Sequence, residues 1–125
     1  MSYGGDSKGC VDIQAFDLHG TLENVDGDKE LFQGLVAAFL EELPLWMDEI
    51  TRGYEAGDSQ TIERAAHSIK GSAGNFGAAH AAEAAYRLEL LGKNGKLNEM
   101  GPAIGALKET AATLSAALQK AVEAL

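Results

Sequence analysis

The sequence predicts an all-α protein: an antiparallel up-down four-helix bundle with a short N-terminal helix or turn packed on it. Three observations favour this fold class. Alanine is abundant in the 125 residues while proline occurs only twice, and alanine is the best helix former. Four segments repeat their apolar residues at intervals of three and four, as one face of a helix does, and no segment alternates like a strand. The connections between the segments are short, which makes neighbouring helices antiparallel.

The length of the chain suits a single domain with its own hydrophobic core. Residues 1–10 form a polar, Gly-rich leader that we predict to be disordered, and residues 11–125 are predicted to form the bundle domain. Residues 11–25 carry the apolar positions of the short N-terminal helix or turn, namely Val11, Ile13, Phe16, Leu18, Leu22 and Val25.

The first long helix is predicted to begin at Asp26–Gly27–Asp28, a helix start signal, and to extend to about Tyr54. Pro44 lies inside it, and because proline removes one backbone hydrogen bond, we expect a kink there rather than a break. Its apolar stripe continues through the proline and comprises Leu31, Phe32, Leu35, Val36, Phe39, Leu40, Leu43, Trp46, Met47 and Ile50.

The second long helix is predicted from Ser59 to about Asn75, after a turn at residues 55–58. Asp58 is the expected N-cap, since its carboxylate can accept a hydrogen bond from a free backbone N–H of the first turn. Gly77 is a natural stop for this helix, because glycine adopts the left-handed conformation without steric cost.

The third long helix is predicted from Ala78 to about Leu91, followed by a loop at residues 92–95. The last helix begins between Asn98 and Pro102. Leu97 and Met100 precede its heptad seam, which should be core and consists of Ile104, Leu107, Ala111, Leu114 and Leu118.

Charge and composition exclude several classes of protein. The net charge of −9 argues against nucleic acid as a partner. No apolar run approaches the ~20 residues that a membrane span needs, and no signal-peptide pattern opens the chain, so a cytoplasmic protein is expected. Cys10 is the single cysteine, which excludes an internal disulfide framework and a cysteine-based zinc site.

Residues 67–77, HSIKGSAGNFG, are the most informative stretch. On a helical wheel of about 100° per residue, His67 points roughly 140° away from the core side. That core side is formed by Ile62, Ala66, Ile69, Ala73 and Phe76. His67, Lys70, Gly71 and Gly74 share the outward side, which we call the histidine face. Between Arg64 and Ala82 there is no Asp or Glu, so this face lies in a neutral-to-basic segment that suits an anionic group.

These residue types favour a phosphorylatable histidine. A neutral imidazole nitrogen can attack phosphorus, and Lys70, one turn along, can support the charge of the phosphoryl group. Two glycines inside a helix cost roughly 2 kcal/mol against alanine, and access for a phosphoryl group and a docking protein is the favoured reason. Close helix packing or early fraying is the alternative for Gly71 and Gly74.

The chain shows no P-loop, no paired carboxylates near His67 and no other apparent magnesium site. We therefore expect a phosphoryl carrier without kinase or phosphatase machinery of its own, and no metal site. Mg²⁺ and the carboxylate that exchanges the phosphoryl group would belong to the partner.

The stretch from His67 to Ala78 resembles the histidine phosphotransfer (HPt) domain family. The family pattern is a histidine, any residue, an aliphatic residue, Lys-Gly, and then small residues with a further glycine. The segments ERAAHSIK and VDGDKELFQGLVAAFLEELP are also similar to the family, and the resemblance spans about residues 16–121.

The resemblance implies a phosphorelay in which a receiver-domain aspartate donates to His67 and another receiver accepts from it. It implies phosphorylation at Nε2, support of the phosphohistidine by Lys70, and access kept open by Gly71. Further contacts with the partner are expected at Gly74, Gln60, Arg64 and Asn75. A monomer is expected, either free-standing or part of or paired with a hybrid sensor histidine kinase.

Three alternatives stay open at this point. The chain could be a helical interaction module without phosphoryl chemistry, or it could bind a metal through His67 and His80. It could also be the phosphoacceptor domain of a chemotaxis-type kinase, which uses the same bundle and histidine.

Overall fold

The computed structural model describes residues 15–125, and this part of the chain is helical without any strand. Its α-helices are α1 (Leu18–Asn24), α2 (Lys29–Ala56), α3 (Ser59–Asn75), α4 (Ala79–Lys93) and α5 (Met100–Ala124), with a 3-10 turn at Leu97–Glu99 before α5. The predicted all-α bundle is therefore confirmed. The leader at residues 1–10 and the start of the segment 11–25 lie outside the described residues.

Aspartates cap the first three helices. The carboxylates of Asp17, Asp28 and Asp58 each accept a hydrogen bond from a backbone N–H three residues on, at 3.0, 3.1 and 3.2 Å. The prediction of Asp58 as N-cap is confirmed. Asp17 also donates its own N–H to the carbonyl of Phe76 at 2.8 Å, which joins the start of α1 to the end of α3.

Two helices extend further than predicted. α2 continues without a break through Pro44 to Ala56, and Gly57 ends it in the left-handed conformation (φ 74°); the kink itself stays a prediction. α4 runs to Lys93, so the loop predicted from residue 92 was wrong. Gly92 is a buried helical residue, and a Cβ there would lie 2.9 Å from the backbone nitrogen of Glu63. It is a glycine because α3 and α4 approach each other closely at this point.

The core lies along the predicted stripes. The heptad seam of α5 is buried, as are the five predicted core positions of α3. Leu31 and Leu35 depart from the prediction, because they are 49% and 43% exposed on α2 rather than buried. α3 packs against α4 on one side and α2 on the other, so its remaining side, which carries His67, faces solvent between these two helices.

Candidate functional site

His67 lies on the outward side of α3, as the wheel predicted. Its side chain is 65% exposed, whereas Ala66 and Ile69 beside it are buried. This position leaves the imidazole accessible to a second protein, while the helix that carries it is fixed by the core.

A carboxylate from α4 holds one nitrogen of this imidazole. Glu89 Oε2 lies 2.9 Å from His67 Nδ1, and the Glu89 side chain is only 16% exposed. An ionised carboxylate can only accept a hydrogen bond, so Nδ1 is the donor. In the neutral ring the lone pair available for attack is then on Nε2, and within residues 15–125 that atom makes no hydrogen bond or ion pair.

The second oxygen of the same carboxylate holds Lys70. Glu89 Oε1 lies 2.8 Å from Lys70 Nζ. This oxygen is shielded from solvent, and the Lys70 ammonium is its charged partner in the described part of the chain. Lys70 Nζ also lies 5.0 Å from the centre of the Tyr86 ring. One carboxylate thus links the histidine and the lysine.

Glu89 remains ionised near neutral pH. Burial raises the pKa of its carboxyl group, but the hydrogen bonds and positive charges supplied by Lys70 and His67 outweigh burial and lower the pKa from the ordinary value of 4.5. The carboxylate can therefore hold both partners across the physiological range.

The neutral-to-basic segment predicted from the sequence does not persist in space. Between Arg64 and Ala82 the sequence has no acidic residue, but Glu89 enters from α4 and pairs with both His67 and Lys70. The sequence did not predict this single carboxylate beside the histidine. The side chain was missed because it belongs to another helix; α3 and α4 form a hairpin around Gly77, and Glu89 and His67 lie at similar distances along the chain from that turn.

Gly71 and Gly74 leave open space beside the histidine. A Cβ built on either residue would meet nothing within 4 Å in the described protein. α3 also continues to Asn75. Neither close packing nor early fraying accounts for these glycines, and both alternatives are excluded.

The other three predicted residues, Gln60, Arg64 and Asn75, are exposed on α3. Asn75 lines a cavity of about 340 Å³ between α1, α2 and α3. Its apolar wall includes Leu35, Ala38, Phe39 and Phe76. The exposed Leu35 of α2 and the outward side of α3 therefore border one groove.

Neither a membrane-spanning helix nor a metal-binding cluster occurs within residues 15–125. In that part of the chain no helix is both long and apolar enough to cross a membrane. No three His, Cys, Asp or Glu side chains there are grouped so that they could hold a metal ion.

The chain matches the family model of the Hpt domain over residues 34–124, well over half of its length. Its structure is similar to the crystal structure of histidine-containing phosphotransfer protein B (HptB) from Pseudomonas aeruginosa PAO1, with a TM-score of 0.82. That likeness covers 89% of this chain and 96% of the other at 20% sequence identity, so it shows a shared fold. A search of curated proteins gave no match.

Proposed function

We propose, because the chain belongs to the Hpt domain family, that His67 is its phosphoacceptor and that Nε2 is the reacting atom. Members of this family are histidine phosphotransfer modules of phosphorelays, and this chain is one. The observation that carries the proposal is the Glu89–His67 hydrogen bond on an exposed side chain, because it leaves Nε2 as the nucleophilic nitrogen of an accessible ring.

The transfer step needs no proton acceptor at Nε2. The Nε2 lone pair attacks the phosphorus of an aspartyl phosphate, the N–P bond forms, and the P–O bond to the aspartate breaks with its electron pair leaving on the carboxylate. Nδ1 keeps its proton, so the phosphorylated ring carries positive charge that the Glu89 carboxylate balances across 2.9 Å. Reversal of these steps delivers the phosphoryl group to a second receiver.

Lys70 supports the phosphoryl oxygens. It lies one helical turn from His67, and its ammonium can exchange the Glu89 oxygen for an oxygen of the incoming group. A positive charge at this point stabilises the negative charge on the equatorial oxygens during transfer. Lys70 is thus proposed as electrostatic support, and Glu89 as the residue that fixes the ring tautomer.

The docking partner is proposed to be a response-regulator receiver domain. Hpt domains pass phosphoryl groups to such receivers. The bare backbone at Gly71 and Gly74 and the neighbouring groove at Asn75 offer space for a convex partner surface. The exposed Leu35 lines this groove, and the exposed Leu31 lies one turn away on α2. Gln60 and Arg64 extend the contact along α3.

The remaining features follow from this carrier role. The chain supplies no kinase or phosphatase machinery, and Mg²⁺ is supplied by the receiver. We propose a cytoplasmic monomer that binds no nucleic acid, either free-standing or associated with a hybrid sensor histidine kinase.

The test is phosphoryl transfer from a phosphorylated receiver domain, with His67→Gln compared with wild type. The matched control is His80→Gln, since His80 is another exposed histidine, at the start of α4. Acid-labile, base-stable label is expected on wild type and His80→Gln and absent from His67→Gln. Substantial label on His67→Gln would overturn the assignment. If an isolated ATP-binding kinase domain labels wild type and no receiver does, the chain is a chemotaxis-type phosphoacceptor instead.

A further inference from the structure

Lys70 is held by two side chains of α4. Its ammonium lies 2.8 Å from Glu89 Oε1 and 5.0 Å from the centre of the Tyr86 ring. Tyr86 and Glu89 are three residues apart on one helix and so share a face. The Tyr86 residue is 47% exposed, whereas the Lys70 side chain is only 31% exposed. The ring is therefore placed beside the lysine without being part of the core.

An aromatic face and a carboxylate hold an ammonium in different ways. The carboxylate carries a full charge, so it competes directly with a phosphoryl group for Lys70. The ring attracts the cation through its quadrupole within about 6 Å but carries no net charge. It can restrict the long, flexible lysine stem while leaving the ammonium free to bind an anion.

We propose that Tyr86 is a positioning residue for phosphoryl transfer, holding the Lys70 ammonium beside His67 while it exchanges Glu89 for the phosphoryl group. This inference rests on the proposed function of His67. It assigns Tyr86 an effect on the transfer step itself, through Lys70, and no effect on the affinity for the partner.

An exposed tyrosine could instead act by touching the receiver, and a concentration series separates the two roles. Single-turnover transfer from a phosphorylated receiver in excess gives a saturating rate and a half-saturation concentration. Loss of Lys70 positioning lowers the saturating rate, whereas loss of a docking contact raises the half-saturation concentration.

Three variants make the test specific to the ring. Tyr86→Leu removes the aromatic face, Tyr86→Phe keeps it, and Leu90→Ala trims a neighbouring exposed apolar residue of α4 as a control. Tyr86→Leu is expected to lower the saturating rate by about two- to fivefold, the range of an exposed cation–π contact. Tyr86→Phe and Leu90→Ala should retain the wild-type rate.

A double-mutant cycle and an NMR measurement complete the experiment. In a Lys70→Ala background Tyr86→Leu should have no further effect, because the two residues act through one contact. The Lys70 ε-methylene protons should show an upfield ring-current shift in wild type and Tyr86→Phe that disappears in Tyr86→Leu.

Three results would each overturn the role of Tyr86. The first is a change in the half-saturation concentration alone. The others are equal losses of saturating rate in Tyr86→Phe and Tyr86→Leu, and additive losses of rate in the double-mutant cycle. Failure of wild type to accept label from any receiver would overturn the proposed function instead, and this result differs from a labelled protein that is insensitive to Tyr86.

Discussion

Gly71 and Gly92 occupy helices that pack against each other, yet their surroundings are opposite. A Cβ on Gly71 would enter open space, whereas a Cβ on Gly92 would lie within 3.0 Å of the Glu63 backbone. Gly92 is small so that α3 and α4 can approach each other. Gly71 has no such constraint within the described protein, which supports the proposal that an external partner approaches there.

Within this comparison of glycines, the largest effect on transfer is expected for Gly71→Val. The added side chain would occupy the proposed docking space, so transfer from a receiver should fall at least about tenfold, or ~1.4 kcal/mol. Helix content should be retained or rise, because valine is a better helix former than glycine. Transfer assays with circular dichroism as the folding control would measure both; an unchanged transfer rate would remove the access argument for Gly71.

Gly92→Ala should act on stability instead. Its methyl group meets backbone atoms that cannot move cheaply, and overpacking of this kind typically costs about 1–3 kcal/mol. Urea unfolding should show this loss, while the transfer rate per folded molecule should change much less than in Gly71→Val. A variant as stable as wild type would contradict the close approach of α3 and α4.

Glu89→Gln tests the role of the carboxylate that the packing of α3 against α4 brings beside His67. Loss of the charge should slow transfer about fivefold, or ~1 kcal/mol, the difference between a charged and a neutral hydrogen bond.

The same variant tests the pH dependence of stability, because the Glu89 carboxyl group has a lowered pKa in the folded protein. Its stabilisation should therefore be complete above its ordinary value of 4.5 and disappear as the pH falls through the lower folded value. The stability difference between wild type and Glu89→Gln, measured from pH 7 to 2, should follow that course. A difference that grew on acidification below 4.5 would contradict it.

The smallest effect is expected for Gly71→Ala, and its sign is opposite to that of Gly92→Ala. Alanine at an open helical position should raise the free energy of unfolding by up to about 1 kcal/mol. Urea unfolding of the two alanine variants side by side gives the comparison directly. A loss of stability in Gly71→Ala would mean that Gly71 also has a packing role.

The sequence was most informative about residues whose role is local. The cap at Asp58, the buried side of α3 and the outward direction of His67 depend on spacing within one helix, and all were predicted correctly. The composition of residues 92–95 favours a loop, whereas the role of Gly92 depends on a neighbouring helix. The apolar stripe of α2 includes Leu31 and Leu35, but a stripe on one helix does not show which of its residues the neighbouring helices bury.

Glu89 shows the same limit at the candidate site. Its importance depends on the register of two antiparallel helices, which no spacing within α3 can reveal. The hairpin about Gly77 carried a usable signal, since residues at similar distances from a tight turn face one another along the pair. Applied to His67, that rule leads to Arg87 on α4, two residues from Glu89.

The shared carboxylate also makes the resting site electrically balanced. The positive charge of Lys70 offsets the negative charge of Glu89, and a neutral imidazole adds nothing. A phosphoryl group carries nearly two negative charges at pH 7 and the phosphorylated ring gains one positive charge, so loading would add roughly one negative charge to this neutral site, on a protein whose net charge is already −9. The loaded and unloaded forms would then differ mainly in local potential, and a partner could distinguish them by charge without any rearrangement of the bundle.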